Sequence, residues 1–147
     1  MSIEYENDIG FHRVPLYGNG YSLDKLLIQE SQASSYKNDF KTNFTSIWIK
    51  ESNGSALARD CWPGKSHWVD FLNPNAQQFW RSLMKPSFFK STNSNYSYWI
   101  DMNEPSVFNI AGMTVPSDAL HYTSLGRAIQ HKDVHNMYGA LQHKTAY

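Results

Sequence analysis

These 147 residues predict an α/β chain, with parallel strands joined by helical crossovers. Three observations point there. Short β-rich runs alternate with helix-periodic segments, in the order strand, long connection, helix, twice over. The clearest helical segment carries its own start signal, core stripe and stop. The long connections after the strands hold the chain's chemistry-bearing residues, where α/β folds place their functional loops.

Along the chain, "SLDKLLIQE" predicts a short helix capped by Ser22, with Leu23, Leu26 and Leu27 on one side. The polar stretch "SQASSYKNDFKTN" that follows reads as an inserted loop. "TSIWIKE" is a compact β-rich run and predicts a strand at Ile47 to Ile49. Residues 51 to 72 form a long connection containing "CWPGKSHWVDF", and a connection of that length is more often functional than structural. In "FLNPNAQQFWRSLMKPSFF", Asn73 caps and Pro74 takes the first helical position. Ala76, Phe79, Trp80, Leu83 and Met84 then recur on one face until Pro86 stops the helix. "NSNYSYWID" predicts a second strand ending at Asp101. After a polar loop, "KDVHNMYGALQHK" spaces Val134, Met137, Tyr138 and Leu141 as a last helix.

Composition excludes several functions. The formal net charge is zero and there is no basic run, which argues against a nucleic acid or an anionic membrane as partner. No apolar stretch approaches the ~18 residues of a membrane span. The start, "MSIEYENDIGF", has no secretory h-region. Cys61 is the single cysteine, so no internal disulfide framework exists. The sequons at Asn43, Asn53 and Asn95 suit a secretory-pathway protein, but an Asn- and Ser-rich chain generates sequons by chance. Aromatics reach 15%, which fits a sugar-binding cleft and equally fits an aromatic core.

The candidate site residues follow from the two loops. Asp101, at a strand end, has the position of a nucleophile, base or ligand, with a turn acid as the competing reading. Glu104 does not complete a catalytic pair with it. An extended chain would carry three residues roughly 10 Å with alternating faces, whereas a retaining glycosidase holds its carboxyls about 5 to 5.5 Å apart. Glu104 is therefore expected to hold the turn before Pro105. Trp62, before Pro63 and Gly64, can present its indole to a pyranose face or fold back into the core. Asp70 reads as a helix-entry acid supporting the site. His131, Asp133 and His135 cluster at the start of the last helix, with His121 well upstream. No Glu completes an HExxH pattern, so a hydrogen-bonded cluster is favoured over a metal site, and neither metal nor cofactor is expected.

"WIDMNEPSVF" resembles the signature of glycoside hydrolase family 31, the α-glucosidase family, and "CWPG…DFLNP" resembles that family's preceding loop. "SDALHY" and "HKDVHNMYG" look most like the catalytic α subunit of the family's endoplasmic-reticulum enzyme. The resemblance implies a fragment of a (β/α)8 TIM barrel covering strands three and four, with residues 45–147 in the barrel and 1–44 poorly matched. It implies hydrolysis of terminal α-glucosidic bonds with retention. Asp101 would attack the anomeric carbon, and Trp62, Trp99 and Met102 would line the subsite for the terminal glucose. The family's acid/base aspartate comes two strands after the nucleophile and is absent from this chain. A closed barrel usually takes about 250 residues, so a partial domain is expected. Further implications are an oligosaccharide substrate with terminal α-linked glucose, trimming of N-linked glycans, a non-catalytic β subunit as partner, and location in the endoplasmic-reticulum lumen. The rivals are a lysosomal or secreted α-glucosidase acting on starch or glycogen, and a carbohydrate-binding relic without catalysis.

Overall fold

The computed structural model describes residues 5–6, 11–15, 27–29, 46–61, 64–83, 96–98 and 103–147. In chain order the elements are β1 (Tyr5–Glu6), β2 (Phe11–Pro15), β3 (Leu27–Gln29), β4 (Arg59–Cys61), β5 (Gly64–Trp68), α1 (Pro74–Leu83) and β6 (Tyr96–Tyr98). They continue with β7 (Leu120–Tyr122), β8 (Ala128–Gln130), α2 (His131–Val134) and α3 (Tyr138–Ala146). The strands form sheets of order β1-β2-β6, β3-β5-β4 and β7-β8.

Among the described residues the order is five strands, one α-helix, three strands and two α-helices, in place of the expected alternation, and every strand pairing is antiparallel. The connection after Ile49, read as an open loop, is the reason. Its residues 59–61 and 64–68 pair as the β4–β5 hairpin, and the chain leaving β5 runs back along the extended segment at residues 47–49, bridged at Trp48 and Val69. Ile49 N donates to Trp68 O and Asp70 N to Ile47 O, both at 2.8 Å. That ladder occupies one edge of the segment with its own chain continuation. The helix expected from "SLDKLLIQE" is a second correction. Leu27, Ile28 and Gln29 are strand, in register with Trp68, His67 and Ser66, because the open edge of β5 offers hydrogen bonds that outweigh a weak helical preference.

The start of the first helix is as the sequence predicts, while Met84 and Pro86 lie outside the described residues. Asn73 Oδ1 accepts from Asn75 N at 2.9 Å, and the Asn73 carbonyl accepts from Gln77 N at 3.0 Å. Asn73 Nδ2 also donates to Ser46 O at 2.7 Å, tying the helix start to the segment at residues 46–49. Ala76, Phe79 and Trp80 are buried as the stripe requires. Trp80 meets the edge of Phe71 at 5.5 Å between centroids, and Phe71 in turn meets Tyr138 of α3 at 5.4 Å. Phe71 is thus the ring through which the two helices share one core, together with Ile47, Ile49, Trp68 and Val69.

In the last helical region Val134 and Tyr138 are buried, but Met137 is exposed. A 3-10 turn at His135–Met137 separates α2 from α3 and breaks the 3.6-residue register, so Met137 swings off the core face. The buried face of α3 is instead Tyr138, Gln142 and Thr145. No helix among the described residues is long and apolar enough to cross a membrane.

Asn73→Ala removes both the cap acceptor and the bond to Ser46, and is expected to cost about 1–2 kcal/mol in denaturant unfolding. Asn73→Asp keeps the acceptor, so it should lose less.

Candidate active site

Four of the residues selected from sequence, Trp62, Trp99, Asp101 and Met102, lie outside the described residues. Their chain neighbours are described, and the two loops meet through them. Cys61 Sγ donates to Ser106 O at 3.4 Å, and Phe108 N donates to Asp60 O at 2.8 Å. The β4 end that precedes Trp62 is therefore stitched to the segment that follows Asp101.

That segment is folded tightly on itself. Val107 N donates to Met113 O at 3.0 Å, Thr114 Oγ1 donates to Pro105 O at 2.7 Å, and Val107 is fully buried. Asn109 takes φ 58°, Gly112 φ 80° and Met113 φ 51°, which lets the chain reverse within a few residues. Glu104 lies in the turn at residues 103–105 with its side chain exposed, and its peptide bond to Pro105 is cis.

Asp70 departs most from its sequence reading. It does not cap α1, a role taken by Asn73, and it is completely buried. Its Oδ1 accepts from Leu72 N at 3.1 Å and pairs with His121 Nδ1 at 2.8 Å, while Oδ2 accepts from Tyr122 N at 2.6 Å. From His121 a line of imidazoles runs outward. His121 Nε2 lies 2.9 Å from His131 Nδ1, and His131 Nε2 lies 3.0 Å from His135 Nδ1. His121 and His131 are buried and stacked at 5.2 Å, and His135 is half-buried.

The histidine cluster thus forms, with two changes of membership. His121, expected to be remote, begins the line at Asp70, and Asp133 is exposed and absent from the chain of bonds. The missed element is the β7–β8 hairpin, which swings His121 over Asp70. Its signal is present in "LHYTSLGRAIQ": two short β runs around a loop whose Gly126 takes φ 72°. A carboxylate only accepts, so Nδ1–H of His121 donates to Asp70. With neutral rings the hydrogens then have one consistent placement, Nδ1–H on each ring donating inward to the preceding acceptor. Each of the five ring nitrogens in these bonds is committed, and the described residues contain no group of three or more His, Cys, Asp or Glu arranged to hold a metal ion.

Burial sets the electrostatics. His131 is pushed down to about 3, first by desolvation and then by the imidazoles of His121 and His135. Desolvation raises the Tyr138 phenol well above its ordinary value, with the Asp70 charge adding to it, so the hydroxyl stays protonated and donates to Val69 O at 2.8 Å. Burial lowers the Lys50 ammonium, and the Asp70 carboxylate partly opposes that. Lys50 lines a cavity of about 580 Å³ at the start of α1, together with Asn73, Tyr122 and Ser124.

Comparison with known proteins places this architecture. Residues 22–147 match the model of the glycosyl hydrolases family 31 TIM-barrel domain. The chain belongs to glycosyl hydrolase family 31. It is similar to the glucosidase 2 subunit alpha of Schizosaccharomyces pombe, with 49% identity over 92 residues, covering 62% of this chain and 9% of that protein. Crystal structures of glucosidase II alpha subunit superpose on 82% of this chain and 12% of theirs, at 35% identity and a TM-score of 0.68. One has Glc1Man2 bound and another is a heterodimer with the binding domain of a regulatory subunit. This family 31 chain therefore spans about a tenth of the length of the relatives it matches, and it contributes an α/β portion of their TIM barrel rather than a closed one.

Two outcomes follow for the Asp70 chain. A histidine whose folded pKa is depressed is neutral in the folded state while the unfolded chain takes up a proton. Stability is thus full above the unfolded value of 6.5 and declines as pH falls toward 3, by at most about 1.4 kcal/mol per pH unit from His131. Denaturant melts between pH 7 and 4 should show that slope, and His131→Gln should flatten it. Asp70→Ala strands the Tyr122 amide and the imidazole line, and is expected to cost about 3 kcal/mol or more.

Proposed function

We propose that this chain forms part of the catalytic barrel of an α-glucosidase that hydrolyses terminal α-glucosidic bonds with retention of configuration. The observation that carries the reading is the stitching of two distant loops in a family 31 chain. Asp60 and Cys61 are bonded to Phe108 and Ser106, which brings the loop bearing Trp62 against the loop that follows Asp101. Within this reading the barrel portion is residues 45–147, containing strands three and four.

Asp101 is the nucleophile. Its carboxylate attacks the anomeric carbon as the glycosidic bond breaks, giving a glycosyl-enzyme ester that water then hydrolyses. Trp62 and Trp99 offer flat apolar faces to the pyranose, and Met102 fills the remaining gap around the terminal glucose. The leaving oxygen needs a proton from a second carboxyl group, placed about 5–5.5 Å from the first. Glu104 is not assigned this role, because its side chain faces solvent in the turn. The acid belongs to a carboxyl outside these residues, as the family resemblance implies. Glu104 shapes the turn beyond the nucleophile, and Asp70 supports the site by fixing the β7–β8 hairpin against the strand at residues 68–70.

The substrate in this reading is an oligosaccharide with terminal α-linked glucose, the glucosylated mannose-rich glycan of new glycoproteins. The Glc1Man2 bound to a 35%-identical glucosidase II alpha subunit supports it. A regulatory subunit bound to such a relative supports a non-catalytic partner, and with it the endoplasmic-reticulum lumen as location.

The test uses the full-length protein. Asp101→Asn should lower kcat/KM on an α-glucoside by about 10³-fold or more, with the melting temperature little changed. A mechanism-based fluorosugar, followed by peptide mapping, should label Asp101. Label on another carboxylate overturns the assignment, and equal behaviour of wild type and Asp101→Asn makes the chain a carbohydrate-binding relic.

A further inference from the structure

We infer that Gly139 is a positioning residue for the reaction, holding the loop beyond Asp101 in place by having no side chain. The inference rests on Asp101 as the nucleophile and adds a part of the chain that this assignment does not use.

Gly139 is the second residue of α3, and a Cβ built on it would meet Asn103 three times over. The distances are 3.1 Å to Nδ2, 3.2 Å to Cγ and 3.3 Å to the backbone O of Asn103. All three are tighter than ordinary van der Waals contact. Nothing in the backbone asks for glycine here. Gly139 is not among the residues with positive φ, it lies within a helix, and alanine is the better helix former. The close approach of Asn103 is what the missing methyl serves.

The helix cannot retreat to make room. Its neighbouring residue Tyr138 is 1% exposed, wedged against Phe71, and bonded through its hydroxyl to Val69 O. On the other side Asn103 opens the turn whose Pro105 carbonyl is held by Thr114. The Asn103 amide can rotate, but its carbonyl moves only with the peptide chain. A methyl at 139 therefore displaces the backbone two residues from Asp101. Two peptide units span about 7 Å at most, so only a short length of chain joins Asp101 to that carbonyl. Attack on an anomeric carbon depends on near-contact alignment and is sensitive to small displacements.

Three variants of the full-length enzyme test this: Gly139→Ala, the exposed neighbour Ala140→Gly as control, and the double variant Gly139→Ala with Asn103→Ala. Gly139→Ala should lower kcat by roughly 10- to 100-fold with KM within about twofold. Its melting temperature should be unchanged or higher, and labelling of Asp101 by a fluorosugar should slow in parallel with kcat. Ala140→Gly should lower the melting temperature and leave kcat alone. Trimming Asn103 clears the two side-chain contacts but keeps the carbonyl contact, so the double variant should stay slow, and recovery of kcat in it overturns the backbone route. Gly139→Ala with wild-type kcat overturns the inference. So does a kcat loss matched by loss of folded protein. If wild-type label falls on a residue other than Asp101, the nucleophile assignment has failed. If Asp101 is labelled and Gly139→Ala is fully active, only the positioning role has.

Discussion

A carboxylate taken out of water must find replacement partners, and Asp70 organises its surroundings by doing so. It sits where the strand leaving β5 turns toward α1. It accepts from a local amide, from the amide of Tyr122 across the hairpin, and from the His121 ring. Removing any one partner would leave buried charge under-compensated, so hairpin, strand and histidine line are locked to one another. The line continues to His135, so three imidazoles, two of them buried, satisfy each other. Low His131 basicity is the electrostatic consequence of that arrangement, and acid sensitivity its cost.

Around this polar centre the packing is aromatic. Phe71, one residue on from Asp70, meets Trp80 and Tyr138 edge-on, so the same short stretch fixes α1 and α3. Tyr138 repeats the combination, with a buried ring in the core and a hydroxyl bonded to Val69 O. Its neighbour Gly139 carries the close approach to Asn103. Residues far apart in sequence thus converge on the turn that follows Asp101, and the β4 end reaches the same segment through Cys61 and Asp60. The proposed chemistry depends on this second convergence, because a nucleophile and a sugar-stacking indole act only when their loops share one cleft.

Much of this was legible where local rules suffice. The Asn73-Pro74 start and the Ala76, Phe79, Trp80 stripe specify α1, since cap and face are both set within a few residues. The β character of "SIWI" and "YSY" was readable for the same reason. Leu27–Gln29 was misread as helix because its conformation is imposed by the edge of β5, a partner nearly forty residues away. Met137 was misplaced because a 3-10 turn resets the helical phase. The β4–β5 hairpin was passed over within a long connection and the β7–β8 hairpin within a polar loop, their strands being three to five residues long with little apolar alternation.

By itself, then, the sequence determined the α/β character, the capped helix, the family through its long motifs, and which residues are chemically suited to act. Those follow from nearest-neighbour preferences and from residue identity, which are properties of the linear chain. Tertiary structure alone decided that the strand edges pair antiparallel, that Asp70 is buried and not a helix-entry acid, that His121 joins His131 and His135, and that Gly139 lies against Asn103. Most of these contacts join residues ten or more positions apart. They arise when buried polar groups and core rings satisfy one another in three dimensions, which no local pattern encodes.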